Sequence, residues 1–282
     1  MKVAFIINPN SAKKEYENFL NQLTDKIENP NYLISQSKED TRKFIQENRD
    51  NVDIFVAVGG DGTISSVARE LINSSNILGI FPAGSGNGFA NESEFSTNFN
   101  DLFSKIQKGK FREIDTFLVN NHLSINVSGA GFDGQIAKDF EQTERGFFNY
   151  IKTVILSFSN FEPININFHK KEHQKYNGKY LMVNIANTRQ FGNNAYIAPH
   201  ADVSDGLVDI VLVKKFPLTY AVPFAYSMFS QNLQNNEYVQ YISTSEIKFS
   251  LDSDTWHIDG DYISLASPIK IKVLPKSLKI LA

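Results

Sequence analysis

Through the first hundred residues, short apolar runs alternate with segments whose apolar positions recur every three to four residues. Residues 3–7 and 54–58 are unbroken apolar runs of strand length, and 32–35 and 77–81 read as two further strands. Between them, Tyr16, Phe19, Leu20, Leu23 and Ile27 share one face of a helix predicted over 13–28. Phe44 and Ile45 mark a second helix, and Ile64, Val67, Ala68 and Leu71 fall at the i, i+3, i+4, i+7 spacing of a third. This β-α-β-α-β-α-β rhythm predicts a doubly wound parallel sheet. A helix over 99–107 then stops at Gly109, a residue suited to the left-handed position after a helix.

After Gly109 the period shortens to that of strands. Residues 113–119, the turn Asn120-Asn121 and residues 122–127 predict a hairpin. Further strands are expected at 164–168, 180–186, 207–213, 247–251, 256–258, 269–273 and 278–281. Residues 147–159 and 218–231 read as helices, and 170–179, ending Asn177-Gly178, as a hairpin tip. The pattern places a domain boundary near 109–113. It predicts an α/β domain over 1–111, to which the C-terminal tail is free to return, followed by an antiparallel β domain over 112–282.

Two of the predicted parallel strands end in small-residue turns. Gly59-Gly60-Asp61-Gly62-Thr63 follows the strand at 54–58, and Gly84-Ser85-Gly86-Asn87-Gly88 follows that at 77–81. Open α/β sheets bind ligands at the carboxyl ends of their strands, where both turns would lie. Glycines let backbone amides approach an anion, and a helix start carries the partial positive charge that suits phosphate. Asp61, read here as a loop residue, would repel a bare phosphate, so its presence argues for a metal ion, a proton to be taken, or both.

Composition narrows the classes. A chain of 282 residues with 41% hydrophobic residues can build one large core or two medium ones. A net charge of −3 gives no basic face for nucleic acid. The absence of cysteine removes disulfides and thiolate metal sites, and the five histidines lack zinc-ligand spacing. No window approaches the roughly 18 uninterrupted apolar residues of a membrane span, and the apolar run at 3–7 is too short for a secretion signal. These features fit a cytoplasmic protein. Phenylalanine is abundant, at 23 residues, and part of that surplus could serve an apolar substrate. The stretch 147–161 reads first as a buried helix, with an acyl channel or bilayer contact as the rival.

Taken in order, Asn8-Pro9, GGDGT at 59–63, PAGSGNG at 82–88, GAGFDG at 129–134, ANTRQFGNNAYIAP at 186–199, ADVSDGLVDIVLV at 201–213 and IDGD at 258–261 resemble the diacylglycerol kinase catalytic family, which includes bacterial lipid kinases and the sphingosine and ceramide kinases. The resemblance implies a Rossmann-like nucleotide domain and a C-terminal antiparallel β-sandwich that receives the lipid. It implies transfer of the ATP γ-phosphoryl group to a lipid hydroxyl with Mg²⁺, by an enzyme peripheral at the inner membrane surface. It assigns Asn8, Gly59, Gly60, Gly62, Thr63, Gly84, Ser85, Gly86, Asn87 and Asp261 to the nucleotide. Asp259 would be the general base, with Asp61 its rival beside metal and phosphates. Asp202, Asp205 and the Leu207 carbonyl match a second, structural Mg²⁺ site, and Asp133 an acidic position near the lipid head group. Monomer and homodimer both remain open.

Read alone, Asp259-Gly260 is equally a hairpin turn, and Asp202 with Asp205 a polar turn before a strand. The GxGxxG at 129–134 reads as a decoy for dinucleotide binding, because no acid follows about 20 residues on and its flanks look antiparallel. No GxxxxGK[ST], HRD or DFG pattern occurs, which sets aside P-loop and protein-kinase machinery. Gly88 stands where many bacterial family members carry an acid, a position at which sphingosine kinases also lack one. Ala12, Asn193, Asn194 and Asp261 replace family residues. The alternatives are a kinase of a soluble acceptor, as in NAD kinases with their shared GGDGT loop, and an inactive nucleotide- or lipid-binding relative.

Overall fold

The computed structural model describes residues 1–11, 16–141, 157–158 and 160–282. It divides into two compact units, one formed by Met1–Asp115 with Pro275–Ala282 and the other by Thr116–Leu274. The chain runs β1 (Val3–Ile7), α1 (Tyr16–Lys26), β2 (Asn31–Ile34), α2 (Lys38–Asn48), β3 (Ile54–Gly59), α3 (Asp61–Leu71), β4 (Ile77–Pro82), α4 (Gly88–Glu92), α5 (Phe99–Lys108) and β5 (Phe111–Val119). It continues through β6 (His122–Ser124), β7 (Val127–Gly131), α6 (Phe132–Glu141), β8 (Ile164–Phe168), β9 (Gly178–Tyr180), β10 (Met182–Ala186), β11 (Val208–Val213) and α7 (Ala221–Phe229). The last strands are β12 (Val239–Thr244), β13 (Glu246–Leu251), β14 (Thr255–Ile258), β15 (Asp261–Ser264) and β16 (Ile269–Leu281).

The first unit is the doubly wound α/β layer that the apolar rhythm predicts. Its strands lie in the order β2-β1-β3-β4-β16, and every neighbouring pair is parallel. β3 and β4 are buried along their whole length, the signature of strands covered on both faces. Phe19 of α1 meets Phe5, Phe81 and Phe99, so much of the phenylalanine surplus here is core. The order reverses at β1: β2 lies on one side and β3 on the other. That reversal creates the crevice in which such sheets take ligands.

The second unit has two antiparallel layers. One is β12-β11-β10-β7-β14-β15. The other contains β13 paired with β8 and with residues 269–272 of β16, β8 paired with β9, and β5 with β6. Phe117, Phe168, Val183, Ile210, Phe249, Trp256 and Ile271 belong to one buried cluster drawn from both layers, which makes this unit a sandwich. A second cluster, with Phe132, Phe158, Met182, Val211, Phe216 and Phe224, covers the outer face of the larger layer with α6 and α7. β10 is therefore buried on both faces and shows no polar alternation.

Several expectations change in detail. The apolar stretch 180–186 is two strands, because Leu181 breaks it and β9 and β10 pair with different layers. Residues 269–281 form one strand instead of two, interrupted at Lys276, whose φ is +52°. The tip at 170–179 contains a 3-10 turn over Lys171–Tyr176. Asp61 is the first residue of α3 and not a loop residue. Ala12 and most of the stretch 147–161 lie outside the described residues; Phe158 and Phe161, which are described, pack in the second cluster of the β unit.

Candidate active site

In the α/β unit the predicted nucleotide residues other than Asp261, which belongs to the β unit, come together at the switch point. The Asn8 amide nitrogen, just past β1, donates to the Val58 carbonyl at 2.9 Å, and its side-chain Nδ2 donates to Thr63 Oγ1 at 3.0 Å. A Cβ on Gly59 would stand 2.5 Å from that same Thr63 oxygen, so only glycine lets β3 run into α3 this closely. Gly60 caps α3 without any side-chain hydrogen bond. Its carbonyl takes the Thr63 and Ile64 amides, at 2.9 and 3.1 Å. A helix start left uncapped by side chains is a ready anion site.

The second glycine turn packs directly on the first. A Cβ on Gly84 would meet the Gly60 Cα at 2.5 Å. Asn87, in the left-handed region at φ +49°, folds its side chain back onto the turn. Its Oδ1 accepts from the Gly84 amide at 2.9 Å and its Nδ2 donates to the Gly84 carbonyl at 2.8 Å. Asn87 thus braces the turn, while Ser85 is exposed at its tip and Gly86 half-buried beside it. Asp61 ties the two turns together: its carboxylate accepts from the Gly88 and Phe89 amides, both at 3.2 Å. The acid sits where the partial positive charge of two helix starts, α3 and α4, favours it.

In the β unit, Asp259-Gly260 is a two-residue hairpin loop. Ile258 pairs with Asp261, and the loop residues have φ of +52° and +91°. The plain turn reading was therefore right, and the turn also carries an anchored carboxylate. Asp259 Oδ1 accepts from Ser124 Oγ at 2.6 Å, the Asn126 amide at 3.0 Å and the Ile125 amide at 3.3 Å; Oδ2 accepts from the Ile125 amide at 3.2 Å. Ser128 Oγ donates to Ser124 Oγ at 2.9 Å, extending the chain of hydroxyls. Asp261 is exposed at the start of β15.

Asp133, in the first turn of α6, is paired with His257, whose Nε2 lies 2.6 Å from its Oδ2, and also accepts from Asn184 Nδ2. Asn184, Gly129 and His257 are register neighbours on β10, β7 and β14. A Cβ at residue 129 would collide with the Asn184 amide and lie 3.0 Å from the Asp133 carboxylate, so glycine there makes room for the cluster. His257 Nδ1 accepts from the Gly260 amide at 3.1 Å, which leaves Nε2 carrying the proton toward Asp133. Burial opposes the charged ring, but Asp133, then Asp259 and Asp261, outweigh it and lift His257 above the usual histidine range. β7, with its glycines, is antiparallel to both neighbours, which excludes a dinucleotide βαβ unit at 129–134.

Asp202, Asp205 and Leu207 line a small polar pocket together with Asp209. Asp202 Oδ1 accepts from the Ser204 amide and hydroxyl at 2.9 and 2.7 Å, and Asp205 Oδ1 from the Leu207 amide at 2.9 Å. Burial lifts the Asp209 carboxyl above the usual carboxylate range; the Ser243 hydroxyl lowers it, Asp205 adds to the rise and His200 opposes it. Among the described residues, no three His, Cys, Asp or Glu side chains converge as a ready metal cluster.

The family model described as "Diacylglycerol kinase catalytic domain" matches residues 2–119, and that described as "YegS C-terminal NAD kinase beta sandwich-like domain" matches residues 126–282. The chain belongs to the diacylglycerol kinase catalytic family. Among relatives, it is 24% identical to "Diacylglycerol kinase" of Bacillus subtilis across 93% of this chain and 90% of that one. It is 29% identical to "Probable lipid kinase YegS-like" of Alcanivorax borkumensis over 62% of this chain. The chain spans 60% of the length of that protein, and 60% of a Synechocystis relative. A crystal structure of a diacylglycerol kinase from Bacillus anthracis superposes with a TM-score of 0.73 at 19% identity, covering 99% of this chain and 96% of that one, and shares the fold.

Within this lipid kinase family framework, the residues that sequence reasoning missed are His257, Asn184, Ser124 and Asp209. A histidine two residues before the acidic turn was the available signal. It was discounted because the five histidines were weighed only for metal spacing.

Proposed function

We propose that this chain transfers the γ-phosphoryl group of ATP to the hydroxyl of a lipid, such as diacylglycerol or a sphingoid base. The reading places nucleotide on the α/β unit and lipid on the β unit, with Mg²⁺ required and the enzyme working at the inner membrane surface from the cytoplasm. The observation that carries it is the meeting of Asn8, the Gly59–Thr63 segment where β3 runs into α3, and the Gly84–Asn87 turn at the switch point of a parallel sheet, in a chain of lipid kinase family. Phosphoryl transfer is chiefly positioning and charge neutralisation, for which backbone amides at the start of α3 are suited.

Each residue then has a defined task. The α3 start and the turn braced by Asn87 receive phosphate oxygens, and Asp61 holds the two turns in register. Asp259 takes the proton of the acceptor hydroxyl. Its carboxylate is held by Ser124 Oγ and by the Ile125 and Asn126 amides, which supports a base kept in a fixed pose. His257, fixed by Asp133, holds the Gly260 amide and so the pose of the Asp259 turn. Asp261, exposed at the start of β15, is assigned to the nucleotide by the family resemblance alone.

The donor set around Asp202, Asp205 and the Leu207 carbonyl consists of oxygens on one turn, which fits a hard cation that keeps several waters. Mg²⁺ bound with ATP would supply charge neutralisation of the phosphates. Incubation with labelled ATP, Mg²⁺ and mixed micelles of candidate lipids, with NAD in parallel, tests the proposal. Label in the organic phase is expected. Label on NAD, or ATP binding with no transfer to any acceptor, would refute it.

A further inference from the structure

α7 of the β unit is apolar on two sides. Inward, Phe224 is buried and Ala221 and Met228 pack against the cluster that covers β10 and β11. Outward, Leu218 in the turn before the helix is 54% exposed, Val222 78%, Tyr226 73% and Phe229 49%. Positions 218, 222, 226 and 229 recur at helical spacing and form one stripe. A helix that faces water normally carries charge on its outer side, and α7 carries none. Contiguous exposed apolar patches on soluble units mark interaction surfaces.

The charge around the stripe selects its partner. From residue 214 to 238 the charged residues are Lys214, Lys215 and Glu237, so this segment is net positive in a chain whose net charge is −3. Both lysines are exposed at the entry to the stripe, and Lys215 Nζ is held at the surface by the Phe161 carbonyl at 2.7 Å. A second copy of the chain, docked stripe to stripe, would bring no acidic residue of α7 against these lysines. An anionic bilayer instead offers hydrocarbon to Leu218 and Val222, the headgroup boundary to Tyr226 and Phe229, and negative headgroups to the lysines.

We propose that the Leu218–Val222–Tyr226–Phe229 stripe of α7, with Lys214 and Lys215 at its edge, is the face by which this protein sits on an anionic lipid surface. The proposal rests on the reading that the acceptor is a lipid, because such an acceptor must be met at a membrane.

Vesicle flotation without ATP tests it, using phosphatidylcholine vesicles with and without phosphatidylglycerol. The wild-type chain is expected to float with the anionic vesicles and to be released by salt. Val222→Ser combined with Tyr226→Ser should cut that partition by about tenfold or more. Lys214→Gln should lower it by about fivefold on anionic vesicles and leave phosphatidylcholine binding unchanged. Wild-type flotation by the double variant would overturn the proposal, as would a dimer on size exclusion that the same two substitutions dissolve. Phosphorylation of detergent-dispersed lipid separates this from the kinase reading. Full activity of the double variant there, with lost flotation, supports the docking face. Absence of lipid phosphorylation by the wild type would sink the kinase reading while the flotation result still decided the face.

Discussion

Gly62→Ala offers a sharp test of the nucleotide cradle, because stability and binding should move in opposite directions. Gly62 is the second residue of α3, and a Cβ built there meets nothing within 4 Å. The helical backbone accepts alanine without strain, and the unfolded chain loses freedom, so the α/β unit should gain about 0.5–1 kcal/mol. The same methyl group would occupy the open side of the helix start, where a phosphate has to approach the amides, and apparent ATP affinity should fall about tenfold or more. Urea unfolding followed by far-UV circular dichroism reads the helical unit. Trp256, the single tryptophan, is buried in the β unit, and its fluorescence provides an internal control that should not move. A raised urea midpoint with unchanged ATP affinity would show that phosphate does not bind beside Gly62 and would remove the basis of the proposed reaction.

Gly84→Ala has the opposite stability sign. Its Cβ would stand 2.5 Å from the Gly60 Cα and 2.7 Å from Asn87 Oδ1, so the turns must part, at a cost of about 1–3 kcal/mol seen in the same urea experiment. Asp259→Asn should reduce turnover by about 10² or more while ATP affinity stays near wild type; collapse of ATP affinity would reassign the residue. His257 has a folded-state pKa raised above its ordinary value of 6.5, so its contribution to stability is fully present below that value and is lost as pH rises through the folded one. His257→Gln should flatten that slope in urea midpoints measured against pH by Trp256 fluorescence. As pH falls through the folded value the wild type should lose turnover, because a proton on Nδ1 removes the acceptor of the Gly260 amide; a pH–rate profile unchanged by His257→Gln would refute the positioning role.

The parts of this fold that were legible in one dimension are those fixed by local chemistry. Strand and helix periods read correctly through β4, and the small-residue turns announced themselves because only glycine tolerates the approach of residue 84 to residue 60. The Asp259-Gly260 hairpin was equally readable, since both residues adopt the positive φ such loops require. What escaped was decided by distant partners. Nothing local in the apolar run 180–186 shows that Leu181 hands the chain from one layer to the other. His257 gains its meaning from Asp133, which lies more than a hundred positions earlier. Asp61 looked like a loop residue because it sits among glycines, whereas Gly60 is the cap and the helix begins at Asp61 itself.

The last strand carries a consequence for how the protein is made. β16 pairs its early residues with β13 of the β unit and its late ones, Lys279 and Ile280, with Ile77 and Leu78 of β4. The α/β unit therefore cannot close its sheet until everything from 116 to 274 has been translated. During synthesis β4 waits with one flank of its hydrogen-bonding groups uncovered, a template for illegitimate pairing. A fragment that stops at residue 115 inherits that open flank permanently, so expression of the N-terminal unit alone should yield aggregates unless residues 275–282 are grafted back.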